Sequence, residues 1–117
     1  IAVKGSLNRF RDLIYIDDVI NSIFLLVKDV SHPNEIYNVG TGKKVTIRKL
    51  INKISKLYKK EKKLKIYFSK PTPGDLLGCY ANTRKIKRHL NFQPKIDLSK
   101  GLKLFKDWAE NSFYSKK

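Results

Sequence analysis

One segment restricts the fold more than any other. Behind two acidic residues, Asp17 and Asp18, come Val19, Ile20, Ile23, Phe24, Leu25, Leu26 and Val27. The acidic pair offers an N-cap and first-turn negative charge, which predicts a helix of about 12 residues. Near its end the apolar residues cover most of the circumference. A helix apolar nearly all round must be buried on several sides. The rest of this 117-residue chain offers little to cover it. The expectation is that covering protein lies outside this sequence. The start at Ile1 and the absence of methionine point the same way, to a truncated or processed chain.

Around that helix the pattern alternates between periods. Residues 1–16 read as loop with a short extended piece at 13–16, and Ser31 to Asn34 as a turn. Glu35 to Val39 reads as a strand stopped by Gly40-Thr41-Gly42. Thr46 is placed to cap a helix whose apolar positions, Ile47, Leu50, Ile51, Ile54, Leu57 and Tyr58, keep helical spacing. A strand is expected at residues 64–68, then a loop set by Pro71, Pro73 and Gly74. Asn82 is expected to cap a short helix ending near Leu90, and Pro94 breaks the chain. A last helix from about Ser99 carries Leu102, Phe105, Trp108 and Ala109 on one face. The class is α/β, with about four helices and too few strands for an independent doubly wound sheet. The chain is read as a single region, residues 1–117.

Composition removes several functions. No apolar run reaches the roughly 18 residues of a membrane span, and no secretory leader is visible. The single cysteine, Cys79, allows no internal disulfide or cysteine-rich metal site, and makes a reducing, cytoplasmic setting the default. His32 and His89 stand far apart in sequence, so no metal site is expected. Net charge is +16, yet 21 of the 26 basic residues are lysines scattered over helix faces. A nucleic-acid module would interleave arginines with aromatics on one surface. The arginines here are only five, so a solvated lysine face is the expectation and nucleic acid is not an expected partner.

Five motifs follow one another in a recognisable order. Arg11-Asp12-Leu13-Ile14-Tyr15-Ile16-Asp17-Asp18-Val19 resembles the "RDF(I/V)YVDDV" signature of the NAD-dependent epimerase/dehydratase family, the extended short-chain dehydrogenases that act on sugar nucleotides. Glu35 to Gly42 with Thr46 to Leu50 resembles its "xxYNxGxG…(S/T)xxxL" segment. Pro73-Gly74-Asp75-Leu76 resembles its "PGD" loop. Tyr80 to Ile86 followed by Leu90 to Lys95 resembles "YADxSK…LGWxPK", and residues 98–109 its closing "LxxGLxxxxxW" helix. The resemblance covers nearly the whole chain. It implies the C-terminal, substrate-binding portion of a Rossmann-type fold, in a UDP-glucose 4-epimerase-like enzyme whose NAD-binding N-terminal half is missing here. A 4,6-dehydratase or reductase of the same family is the alternative. The implied parent is a homodimer acting on a nucleotide-diphosphate sugar with bound NAD.

The resemblance also assigns roles. Arg11 is implied to reach the substrate diphosphate, for which a guanidinium fork is suited; the plainer reading is an ion pair with Asp12 or Asp17. Asp75 is implied to accept from a ribose hydroxyl; the plainer reading is a turn residue bonded to its own backbone. Many members carry a second arginine two residues before this glycine, where this chain has Thr72, so Lys70 or another base is expected to substitute. Cys79 is implied to leave room for an N-acetyl group, against a buried small hydrophobe, and Tyr80 beside it completes the substrate-facing set. A remnant without ligand is the third possibility. No catalytic, cofactor-binding or metal residue is assigned. Tyr58 and Lys62 match the family's catalytic Tyr-x-x-x-Lys spacing but end a lysine-rich helix. Gly40-Thr41-Gly42 lacks the third glycine of a dinucleotide fingerprint. The chain alone is expected to be inactive.

Overall fold

A computed structural model of the chain describes residues 1–59, 65–71 and 73–114. The elements run β1 (Ala2–Lys4), β2 (Phe10–Arg11), α1 (Ile16–Lys28), β3 (Val45–Thr46), α2 (Ile47–Leu57), β4 (Tyr67–Ser69), α3 (Arg84–Leu90) and α4 (Leu98–Tyr114). Four helices and four short strands agree with the expected α/β class. They form two compact units, one of Ile1–Asp12 with Lys43–Tyr80, the other of Leu13–Gly42 with Ala81–Lys117.

The first unit holds all the strands. β1 and β4 run parallel, with Val3 opposite Phe68. β2 and β3 run antiparallel, with Phe10 opposite Thr46 and Arg11 opposite Val45. Val3, Leu7 and Ile51 form its buried cluster, with Ile47 and Ile66 packed against them. Burying each of these side chains contributes about 2 kcal/mol. Thr46 caps α2 as its sequence position predicts: its Oγ1 accepts from the Lys49 amide at 3.1 Å. Two more first-turn amides find acceptors outside the helix. The Ile47 amide donates to the Arg9 carbonyl at 2.9 Å and the Arg48 amide to the Leu7 carbonyl at 3.1 Å. The start of α2 therefore grips the chain at residues 7–9.

The second unit is helical. Ile86 and Phe92 are its most buried apolar side chains. Asn91 adopts the left-handed conformation, φ 49°, and ends α3. Asn82 accepts from the Arg84 amide at 3.2 Å, close to its expected capping role. α4 starts one residue earlier than its sequence reading, because Asp97 accepts from the Ser99 and Lys100 amides at 2.7 and 2.9 Å.

Two expectations are corrected. Neither Asp17 nor Asp18 is a cap: α1 begins at Ile16, which leaves both as the expected acidic residues of its first turn, and the buried Asp18 carboxylate accepts from the Lys95 and Ile96 amides at 2.9 and 3.0 Å. α1 stays largely open, in keeping with the reading that the rest of this chain offers little to cover it. Asp18 and Ser22 are its buried residues, while Ile20, Ile23, Phe24 and Val27 are exposed, Phe24 by 61%. Residues 35–39 form no strand, since they have no ladder partner among the described residues. The expected 64–68 strand appears as Tyr67–Ser69; Leu64 lies outside the described residues, as do Thr72 and Lys62.

Candidate functional site

β2 sets the geometry. Side chains alternate across a strand, so Arg9 and Arg11 share one side of this short run and Phe10 takes the other. On the arginine side sits Asp75, carried by the loop after β4. That loop is tied to β2 at two points. The Phe10 amide donates to the Leu77 carbonyl at 3.0 Å, and Phe10 bridges to Gly78. Gly78 is required there: a Cβ would lie 2.5 Å from the Phe10 carbonyl oxygen and 2.6 Å from its ring. Gly74, φ 77°, supplies the left-handed turn before Asp75.

Asp75 is shared by both arginines. Its Oδ2 is ion-paired with Arg9 Nη1, and its Oδ1 lies 3.4 Å from Arg11 Nη2. The Asp75 side chain is 16% exposed, Arg9 19% and Arg11 41%. Arg9 also donates to the Lys4 carbonyl and, at 3.3 Å, to the Ser6 carbonyl. Arg11 Nη1 donates to the Phe10 carbonyl at 2.8 Å. Two guanidinium groups and one carboxylate leave one positive charge in excess. Such a site offers donors to phosphate oxygens beside an acceptor for hydroxyls.

On the other side of β2 the rings of Phe10 and Tyr80 lie 6.4 Å apart, tilted by 55°. The Lys44 ammonium stands 4.9 Å from each ring centroid, within cation–π range. Tyr80 is half exposed, and Cys79 before it is exposed, which removes the buried-hydrophobe reading of that cysteine. All four residues singled out from sequence lie in this one unit. Arg11 and Asp75 are brought together; Cys79 and Tyr80 follow on the same segment. Arg11 meets Asp75 across 64 positions of sequence. Arg9, Phe10 and Lys44 were not singled out in the sequence. Alternation about Arg11 is the signal that could have found Arg9, had the extended piece been placed at residues 10–11 and not at 13–16.

The second unit gathers a different polar cluster. His32 and His89 stack with ring centroids 4.1 Å apart. Asp29 lies 3.0 Å from His32 Nδ1, and the Tyr37 hydroxyl 3.0 Å from His89 Nδ1. Burial, with His32 and Arg88 nearby, holds His89 below its ordinary value. Burial, with Asp29 and Glu35 nearby, raises Tyr37. A hydrogen bond and charge from Lys85 lower Glu35. Among the described residues no three His, Cys, Asp or Glu side chains converge as metal ligands, and no helix is long and apolar enough to cross a membrane.

No family model matches the chain. Individual proteins do. An uncharacterized protein of Methanocaldococcus jannaschii is 36% identical over 86% of this chain and 30% of its own length. The UDP-glucuronate 4-epimerase of Thermodesulfobacterium geofontis is 31% identical over 96% of this chain and 34% of its own. The dTDP-4-dehydro-6-deoxyglucose reductase of Escherichia coli is 31% identical over 87% and 31%. Among solved structures, the UDP-glucose 4-epimerase of Thermotoga maritima with UDP-glucose superposes with a TM-score of 0.86 at 26% identity, over 96% of this chain and 35% of that one. The chain spans about a third of the length of the relatives it matches.

Proposed function

Since this chain belongs to the NAD-dependent epimerase/dehydratase family, we propose that it is the substrate-binding, C-terminal region of a sugar-nucleotide 4-epimerase. Residues 1–117 act in that enzyme as a single region. Arg11 holds the substrate diphosphate, Asp75 accepts from a ribose hydroxyl, and Cys79 and Tyr80 border the sugar. The observation that carries this is the pairing of a half-exposed guanidinium with a carboxylate 3.4 Å away, both fixed to β2. A phosphate and a neighbouring hydroxyl need that combination of donor and acceptor.

The described residues do not fit NAD. The one Gly-x-Gly, Gly40 to Gly42, leads into β3 and not into a helix N-terminus, so no row of amides faces a pyrophosphate. NAD, which supplies hydride exchange at the sugar ring, belongs to the part of the fold that the relatives have and this chain does not span. The parent enzyme is cytoplasmic and homodimeric in this reading. The likeness to a reductase keeps a reductase or dehydratase of the same family as the second reading.

The purified chain should bind UDP-glucose, carry no NAD and show no turnover. In calorimetry, Arg11→Ala should weaken UDP-glucose binding by about 1.5–3 kcal/mol, the scale of a hydrogen bond to a charged group. Lys56→Ala, on an exposed part of α2, should change it by less than about 0.5 kcal/mol. Equal losses in both variants mean that diffuse charge holds the ligand, and bound nicotinamide in the isolated chain overturns the division of labour.

A further inference from the structure

We infer that Arg9 is a positioning residue: it anchors Asp75 through one carboxylate oxygen, leaving the other oxygen and Arg11 to a nucleoside diphosphate. The inference rests on the diphosphate reading above and deepens it.

Arg9 is committed on all sides of its fork. Nη1 takes Asp75 Oδ2, Nη2 the Lys4 carbonyl, and Nε the Ser6 carbonyl. These acceptors are themselves held. Lys4 ends β1, which is paired with β4, and the carbonyls of Leu7 and Arg9 receive the first amides of α2. Arg9 thus has little freedom to meet a ligand.

Arg11 is the opposite case. It is the most exposed of the three side chains, and its Nη2 reaches Asp75 only at 3.4 Å. A bond of that length is weak. An arriving phosphate can draw Nη2 away at little cost, and Oδ1 is then open to a hydroxyl. Asp75 stays neutralised by Arg9 throughout, so the charge of Arg11 faces the anion undiminished. Remove Arg9, and Asp75 is left with Arg11 as its one described cation. The carboxylate then closes on Arg11 and quenches it.

That asymmetry gives a test no general loss of stability can imitate. The probes are inorganic pyrophosphate and UDP, titrated into the chain by calorimetry. Arg9→Ala is expected to weaken both by about tenfold. Adding Asp75→Ala frees Arg11: pyrophosphate affinity returns to within about twofold of the parent, while UDP, without its hydroxyl acceptor, stays about fivefold weaker. A double variant no better than Arg9→Ala overturns the inference, as does Arg9→Ala binding both probes like the parent. Arg9→Lys keeps a charge on Asp75 and should hold at least about a third of the pyrophosphate affinity. Should the alanine variant not fold, a lysine variant as weak as Arg11→Ala overturns it. If the parent chain binds neither probe, the diphosphate reading fails, and the anchor is judged by hydrogen exchange at the Phe10 amide, which is bonded to the Leu77 carbonyl. Arg9→Ala should speed that exchange about tenfold and Arg11→Ala less than about twofold; equal effects overturn the anchor.

Discussion

Replacing Asp18 should test the second unit more sharply than any other change. Its carboxylate is 3% exposed and accepts two backbone amides, Lys95 at 2.9 Å and Ile96 at 3.0 Å. A hydrogen bond to a charged group is worth roughly 1.5–3 kcal/mol, and a buried amide left unpaired costs roughly 1–3 kcal/mol. The two bonds share one side chain, so their losses do not add fully. Asp18→Ala should cost about 3 kcal/mol. Asp18→Asn keeps one acceptor but turns an N–H against the second amide, and should cost about 2 kcal/mol. The control is Asp17→Ala, exposed in the same first turn, where only the helix dipole is affected and about 0.5 kcal/mol is expected. Urea unfolding followed by circular dichroism reads all three. With a slope of roughly 2 kcal/mol per molar urea, Asp18→Ala should lower the midpoint by about 1.5 M. If Asp18→Ala and Asp17→Ala prove equal, Asp18 acts as a first-turn charge and the bolt between α1 and residues 95–96 carries no weight.

Gly78→Ala should displace the Asp75 loop from β2, costing about 1–3 kcal/mol in urea unfolding and raising proteolysis near residues 73–78; a variant as stable as the parent refutes the close approach to Phe10. His89 is held below its ordinary value by burial and by its cationic neighbours, so the unfolded chain binds the proton first as pH falls. Stability should therefore be lost as pH drops below about 6.5, with a lower urea midpoint at pH 5 than at pH 7.5 and a flatter profile in His89→Gln. The exposed Ile20, Ile23, Phe24 and Val27 of α1 should make the chain self-associate, and Phe24→Lys should reduce the sedimentation coefficient toward a monomer. A parent that sediments as a monomer at tens of micromolar counts against it.

What the sequence made legible was mostly local. Thr46 capping α2 needs only four consecutive residues, and the apolar spacing after it needs one helix face. The motif order placed Arg11 and Asp75 among the candidate residues although 64 positions separate them. What stayed hidden depends on partners. Ala2–Lys4 becomes a strand because Tyr67–Ser69 lies beside it, while Glu35 to Val39, better patterned, finds no partner among the described residues. Asp18 reads as a cap until Lys95 and Ile96 present their amides. His32 and His89 read as unrelated until their rings meet. Arg9 belongs to no motif of its own, and its contacts to Asp75 and to the Lys4 and Ser6 carbonyls exist only in the folded chain.

The parallel pairing of Ala2–Lys4 with Tyr67–Ser69 has a consequence for synthesis. The partners stand 65 positions apart, and the whole of residues 13–42 belongs to the other unit. As the chain leaves the ribosome, Val3 has no place to go until Phe68 has emerged. Asp18 likewise waits for Lys95. Each unit can close only after its second stretch of sequence has been made, so the apolar side chains of its first stretch wait uncovered until then. Non-local closure of this kind is slow and invites aggregation. No single cut separates the two units either, since each is built from two stretches of sequence. A contiguous fragment spanning the first unit carries residues 13–42 of the second, and one spanning the second carries residues 43–80 of the first.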